Sequence, residues 1–147
     1  MGAHRTAGHT HYRIPVQNLG YMGRLCYTQN VTAVTGACLL VKKSLYEQVG
    51  GLDESFVISL NDVDFCLKLR KLGLLNVWTP FAELYHYESI SRGLDDQGEN
   101  AERYNRGSEH CREKWKAELE AGHPYYNPNF SLNRSDYALK DPAVSGR

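Results

Sequence analysis

The chain has no excess of charge of either sign, because 17 basic side chains are matched by 17 acidic ones over 147 residues. Nucleic-acid-binding domains and polybasic membrane-surface modules usually carry a basic excess, so both classes are disfavoured. Long apolar runs are missing too. The longest wholly apolar run, residues 37–41, is far shorter than the roughly 20 residues that a membrane-spanning helix needs. With no hydrophobic signal segment at the N-terminus, the sequence predicts a cytoplasmic protein without nucleic-acid partners or a transmembrane segment.

Cysteine is sparse, and its spacing matches no metal-binding or redox motif. The four cysteines stand at positions 26, 38, 66 and 111, and no pair has the separation of a zinc finger or a redox-active dithiol. A disulfide scaffold is not expected from so few cysteines in a chain of this length. Cys38 and Cys66 lie in apolar runs, which predicts that both are small buried thiols.

The hydrophobic residues, 41% of the chain, are sufficient for the core of one domain. Their periodicity predicts a mixture of strands and helices, with glycine after each of the first two helices as the stop signal. The predicted elements are a strand over 31–41, helices over 45–49 and 62–72, strands over 74–79 and 82–88, and a helix over 99–119. The fold class expected from this order is α/β, with some α+β character.

Charge is distributed unusually on the predicted helix over 62–72. At about 100° per residue, Asp64, Lys68 and Lys71 share a polar face, which predicts that Asp64 is a surface or supporting charge. Asp62 instead falls on the apolar side, in the first turn. It could accept free backbone N–H groups at the helix start, or it could point into a functional cleft. The helix pattern alone leaves both explanations open.

Three short polar motifs follow one another along the chain. They are Asn61-Asp62-Val63-Asp64, His86-Tyr87-Glu88 and Ser91-Arg92-Gly93. Each is weak by itself, because a histidine in a strand is usually packed or at the surface, and an arginine in a polar loop is usually solvated. Their order and surroundings carry more information than any one of them.

The motifs belong to a longer pattern that resembles a known enzyme family. Its parts are VTGACLLVKK at 34–43, VGGLDE at 49–54, NDVDFCLKLR at 61–70, Gly73, WTPFAELYHYESISRG at 78–93 and YYNPNFSL at 125–132. Over roughly residues 9–139 the chain resembles the acceptor half of family-2 glycosyltransferases. It is most similar to bacterial rhamnosyltransferase-like members that build cell-surface polysaccharide. The resemblance implies the C-terminal half of a GT-A fold.

This resemblance implies a hexosyltransferase that moves a sugar from a nucleotide-diphospho-sugar to an acceptor hydroxyl with inversion. Such a reaction needs a general base, and the aspartate with that role in the family matches Asp62. Asp64 matches a second acidic position that supports the site. Asn61 stands where the family usually has glutamate, a departure that leaves the base itself in place.

The remaining implied site residues serve the donor and the acceptor. His86 matches a metal ligand for Mn²⁺ or Mg²⁺, which would neutralise the diphosphate leaving group. Ser91 and Arg92 match a mobile loop that closes over the donor, with the guanidinium directed at phosphate oxygens. Thr35 and Gly36 match the start of a strand on the acceptor side. A glycan or lipid-linked acceptor is implied, which allows a peripheral position at the inner face of the membrane.

The family's nucleotide-binding βαβ half and its Asp-x-Asp metal motif have no counterpart before the acceptor strand. We therefore expect one partial domain over 1–147. It would comprise an N-terminal segment (1–30), an acceptor and catalytic half (31–93), a C-terminal helix with a docking tail (94–139) and a loose tail (140–147). We also expect a weakly held cation, little transfer by the isolated chain, and either pairing with an N-terminal half or self-association through an exposed sheet edge.

Two other interpretations stay open at this point. In the first, the chain is a non-catalytic carbohydrate-binding or assembly module derived from a glycosyltransferase. In the second, the residues are purely structural, with Asp62 capping a helix and His86 packed in a core.

Overall fold

A computed structural model describes residues 6–12, 14–56, 59–87 and 98–141, and it has a small mixed α/β architecture. The elements, in chain order, are β1 (Gln29–Val31), α1 (Lys43–Gln48), α2 (Asn61–Lys71), β2 (Asn76–Trp78), α3 (Gly98–Lys114) and α4 (Lys116–Glu120). Turns of 3-10 helix lie at Tyr21–Gly23 and Gly36–Cys38. Within these ranges, no helix has the length and apolar composition needed to cross a bilayer.

β1 and β2 pair in antiparallel fashion, with Gln29 opposite Trp78 and Val31 opposite Asn76. Two strands of three residues are marginal as an isolated unit, so the pair depends on the helix beside it. That helix is α2, whose apolar side packs next to β2.

The strand predicted over 31–41 is wrong beyond its first residue. β1 ends at Val31, and Thr35 then begins the 3-10 turn, with its hydroxyl oxygen accepting the N–H of Ala37 at 3.3 Å. Threonine favours such local turns when no strand partner is available. Cys38 is exposed on this turn, so its predicted burial is also wrong, whereas the burial of Cys66 is confirmed.

The strand predicted over 82–88 is wrong for the residues that the structure describes. Residues 82–87 are irregular and exposed. Their alternation of apolar and polar residues has the period of a strand, but no described segment pairs with them. The rest of that prediction, residue 88, lies outside the described residues.

The helix predictions hold within one or two residues. α2 is predicted over 62–72 and found at Asn61–Lys71, and Gly73 ends it with a φ of +78°. The N-cap position of α2 belongs to Leu60, whose φ is +71°. The helix predicted over 99–119 is interrupted at Trp115, which separates α3 from α4.

The core lies between α2 and the α3–α4 junction. Its buried side chains are Phe56, Leu60, Leu67, Cys111 and Trp115. Cys111 and Trp115 thus attach the α3–α4 junction to α2.

Asp64 is fully buried in this contact, so its prediction as a surface charge is wrong. Oδ1 accepts a hydrogen bond from the indole of Trp115 at 2.8 Å and lies 2.6 Å from the ammonium of Lys114. Oδ2 lies 2.9 Å from the ammonium of Lys68, one turn further along α2. The pattern correctly placed Asp64 and Lys68 on one face, but the α3–α4 junction covers that face.

Lys114 extends this network to the loop before α2. Its ammonium donates to Asp53 at 2.5 Å as well as contacting Asp64. Burial opposes the charge on Lys114, but the hydrogen bonds to the two carboxylates outweigh burial and raise the pKa of the lysine. The hydrogen bonds from Lys114 and Ser55 hold the pKa of Asp53 well below its ordinary range. The ammonium group of Lys114, on α3, thus contacts one carboxylate in the loop before α2 and one on α2 itself.

The C-terminal tail docks on the N-terminal segment through aromatic rings. Tyr137 is buried and stacks on Tyr21, with ring centroids 5.5 Å apart. Phe130 meets both rings edge-on, at 5.2 Å from Tyr21 and 5.6 Å from Tyr137. Each such pair adds about 0.5–1.5 kcal/mol beyond burial.

Replacement of Lys114 by methionine should lower the free energy of unfolding by about 3 kcal/mol, because the buried Asp64 loses a charge partner. Urea denaturation measures this value. Lys43→Met is the matched control, since Lys43 pairs with Glu47 at 3.6 Å while both side chains are exposed. Its effect should stay within about 0.5 kcal/mol. Equal effects of the two substitutions would contradict the network's importance.

Acid should destabilise the chain partly through Asp53. Because its pKa is lower in the folded state, its contribution to stability is complete above the unfolded-state pKa of about 4 and is lost as pH falls through the folded-state value. Asp53→Asn should therefore flatten the decline in unfolding free energy between about pH 5 and pH 2, measured by urea titrations. Glu54→Gln, at an exposed neighbour, should keep the wild-type profile. A similar flattening in both variants would argue against this role.

Candidate functional site

Asp62 lies in the first turn of α2, with its carboxylate against the turn that begins at Gly36. Oδ2 accepts the N–H of Gly36 at 2.9 Å, and Oδ1 accepts the N–H of Val63 at 2.8 Å. The residue is half-buried. The carboxylate therefore does accept backbone N–H groups, as the structural explanation required, and the residue as a whole stays partly exposed.

Cys66 holds the same segment one helical turn further along. Its sulfur accepts the N–H of Val34 at 3.5 Å and lies 3.9 Å from the carbonyl oxygen of that residue. Residues four apart share one face of a helix, so Asp62 and Cys66 together align 34–36 along α2. Burial raises the pKa of the Cys66 thiol, which keeps it neutral at physiological pH.

Asn76 completes this attachment and was missed in the sequence. Its buried side-chain amide donates to the carbonyl oxygens of Thr32 at 2.8 Å and Cys66 at 3.1 Å. A single amide thereby ties the end of β1 to the middle of α2. The available signal was an asparagine among apolar residues at 74–77, because a buried polar side chain there needs partners.

The structure brings Thr35 and Gly36 next to Asp62. A Cβ atom placed on Gly36 would stand 3.3 Å from Cβ of Asp62 and 3.7 Å from its Oδ2. Asn61 lies beside the same carboxylate, and its own Oδ1 accepts the N–H of Asp62 at 2.8 Å. Asp64 is two residues away but serves the core, as described above.

His86 is not joined to this group by any contact within the described residues. It is exposed in the irregular segment 81–87 and forms no hydrogen bond or ion pair with a described residue. No three His, Cys, Asp or Glu side chains among the described residues lie close enough to hold a metal ion. The residues that the structure describes therefore do not fit a metal centre. Ser91 and Arg92 lie outside the described residues.

The sequence of the chain is similar to several known proteins. No protein-family model and no solved structure matches the chain. The uncharacterized protein y4gI of Sinorhizobium fredii (strain NBRC 101917 / NGR234) is 44% identical over 143 residues, which cover 97% of this chain and 16% of that protein. The O-antigen biosynthesis protein RfbC of Myxococcus xanthus is 34% identical over 135 residues, or 91% of this chain and 10% of RfbC.

A shorter match is to the N-acetylglucosaminyl-diphospho-decaprenol L-rhamnosyltransferase of Mycobacterium tuberculosis (strain ATCC 25618 / H37Rv). It is 44% identical over 62 residues, which cover 42% of this chain and 20% of that enzyme. The chain thus spans a fifth or less of the length of each of these relatives. The names of RfbC and of the rhamnosyltransferase support a glycosyltransferase-like class that includes O-antigen biosynthesis.

Asn76→Ala should destabilise the chain by about 1–3 kcal/mol, because the partly buried carbonyl oxygen of Thr32 and the buried carbonyl oxygen of Cys66 both lose a donor. Urea denaturation measures the loss. Asn105→Ala on the exposed side of α3 is the matched control and should leave stability nearly unchanged. If Asn76→Ala is as stable as this control, Asn76 does not hold β1 on α2.

Proposed function

We propose that the chain is the acceptor-side half of a family-2 glycosyltransferase with a GT-A fold, and that Asp62 is its general base. The observation that carries the proposal is the geometry of Asp62, a half-buried residue whose carboxylate is oriented by the N–H groups of Gly36 and Val63. The names of RfbC and of the rhamnosyltransferase support the reaction class. A donor-binding domain supplies the nucleotide-diphospho-sugar.

Asp62 has the hydrogen-bonding capacity that a base requires. A carboxylate offers about four lone-pair sites, and each oxygen of Asp62 uses one for a backbone N–H. Either oxygen can therefore accept a hydrogen bond from an acceptor hydroxyl. As the hydroxyl oxygen bonds to the anomeric carbon, the bond from that carbon to the diphosphate breaks. The proton passes to Asp62, and the nucleoside diphosphate leaves with the electron pair.

The neighbouring groups do not compete for this role. Asp64 is fully buried and paired with Lys68 and Lys114, so its lone pairs are not available to a substrate. The Cys66 thiol is buried and neutral. Asp62 is thus the carboxylate at this place that an acceptor hydroxyl can reach.

The donor side of the proposal rests on the sequence resemblance. It gives His86 a role toward a Mn²⁺ or Mg²⁺ ion and gives Ser91 and Arg92 a role toward the diphosphate. The decaprenol in the rhamnosyltransferase's name favours a lipid-linked acceptor, reached from the cytoplasmic face of the membrane.

A graft into RfbC tests the role of Asp62. The 135 residues of RfbC that match this chain are replaced by the chain's own, and O-antigen is quantified in Myxococcus xanthus lacking native RfbC. The graft should sustain O-antigen synthesis. Asp62→Asn should reduce it by at least about 100-fold, because a general base typically contributes that much or more.

The control for this experiment is Asp136→Asn, which changes an exposed carboxylate paired with Arg134 in the C-terminal tail. It should leave synthesis at the level of the unaltered graft. Wild-type amounts of O-antigen from Asp62→Asn would exclude Asp62 as the base. A stably produced graft that makes no O-antigen would instead favour the non-catalytic binding or assembly module.

A further inference from the structure

We propose that Gly36 is a positioning residue of the site: its backbone N–H orients the Asp62 carboxylate, and a side chain at position 36 would displace that carboxylate. This inference rests on the proposed role of Asp62 as the base. The hydrogen bond from Gly36 to Oδ2 is 2.9 Å long and joins residues 26 positions apart. It is therefore a tertiary contact, unlike the bond from Val63, which comes from the adjacent residue.

The need for glycine comes from the close approach of Asp62. Gly36 is not among the glycines with positive φ, so its backbone conformation alone would accept other residues. A methyl group would stand 3.3 Å from Cβ and 3.7 Å from Oδ2 of Asp62. The first separation is tighter than ordinary van der Waals contact, and one partner would have to shift by a few tenths of an ångström.

The surrounding contacts limit which atoms can move. One turn along α2, Cys66 holds Val34, and Asn76 ties Thr32 to the same helix. Residues 32 and 34 are thus fixed to α2, which also limits the movement of Gly36. The displacement caused by a methyl group should therefore fall on the carboxylate of Asp62 and on the N–H that it accepts.

A displaced carboxylate would be a poorer base. Proton abstraction requires a heavy-atom distance of about 2.6–3.2 Å, and a misplacement of about 1 Å can cost 100-fold in rate. For a shift of a few tenths of an ångström, we expect a loss of about 10-fold. Thr35 supports the same geometry, because its hydroxyl oxygen accepts the N–H of Ala37 and so shapes the turn.

The first test observes the contact in the full chain by NMR. The amide hydrogen of Gly36 should exchange slowly with solvent because the Asp62 carboxylate accepts its hydrogen bond, and Asp62→Ala should speed that exchange. In Gly36→Ala the amide at position 36 should also exchange faster with solvent. Gly8→Ala is the matched control, because Gly8 has open space around its Cβ position and no positive φ.

The second test measures the rate of sugar incorporation by the RfbC graft. Gly36→Ala should lower the rate about 10-fold, whereas Gly8→Ala should not change it. Thr35→Ala should also lower the rate, and Thr35→Ser, which keeps the hydroxyl, should restore it. Full activity of Gly36→Ala, or a Gly36 amide that exchanges no faster in Asp62→Ala than in the unaltered chain, would overturn the proposal.

The two proposals fail in distinguishable ways. If Asp62→Asn removes activity but Gly36→Ala does not, the positioning role of Gly36 is refuted and the base assignment stands. If Asp62→Asn leaves activity intact, the base assignment fails, even where NMR confirms the contact between the two residues.

Discussion

The buried carboxylate of Asp64 is the constraint on which the rest of the structure depends. Leaving one partner of a buried ion pair uncompensated typically costs 3–5 kcal/mol, so Lys68, Lys114 and Trp115 must meet Asp64 in the folded state. Lys114 also binds Asp53. The loop before α2, α2 itself and the α3–α4 junction are therefore fixed together, and the orientation of α2 is set by which of its faces carries Asp64.

That orientation determines where Asp62 points. Two residues along a helix correspond to a rotation of about 200°, so a helix that turns Asp64 into the core turns Asp62 to the opposite side. There the carboxylate meets the N–H of Gly36, on a segment that Cys66 and Asn76 hold in place. Two aspartates separated by one residue thus have different surroundings: Asp64 is buried in the core, whereas Asp62 is half-buried beside Gly36, where we propose that it acts as the base.

The periodicity of the sequence predicted the position of helix α2. It did not predict the burial of Asp64 or the contacts of Asn76, because these depend on residues far away in the sequence. α2 was predicted within one residue, and the same pattern placed Asp62 on a different face of the helix from Asp64. The burial of Asp64 was missed because a helical wheel identifies a shared face but not the element that covers it. The strand over 31–41 was overestimated because β-branched residues extend a strand only where a partner exists, and β2 pairs with only three residues. Asn76 was missed because its role is defined by two distant carbonyl groups.

The central claim is that the Asp62 carboxylate takes the proton of an acceptor hydroxyl, and chemical rescue measures this most directly. Asp62→Ala in the RfbC graft leaves space where the carboxylate stood, and added formate can supply a carboxylate oxygen there. The account predicts that sugar incorporation, lost in Asp62→Ala, increases with formate concentration, while Asp136→Ala is active without formate and does not respond to it. Undiminished activity of Asp62→Ala without formate, or a folded variant that formate does not restore at any concentration, would contradict the account.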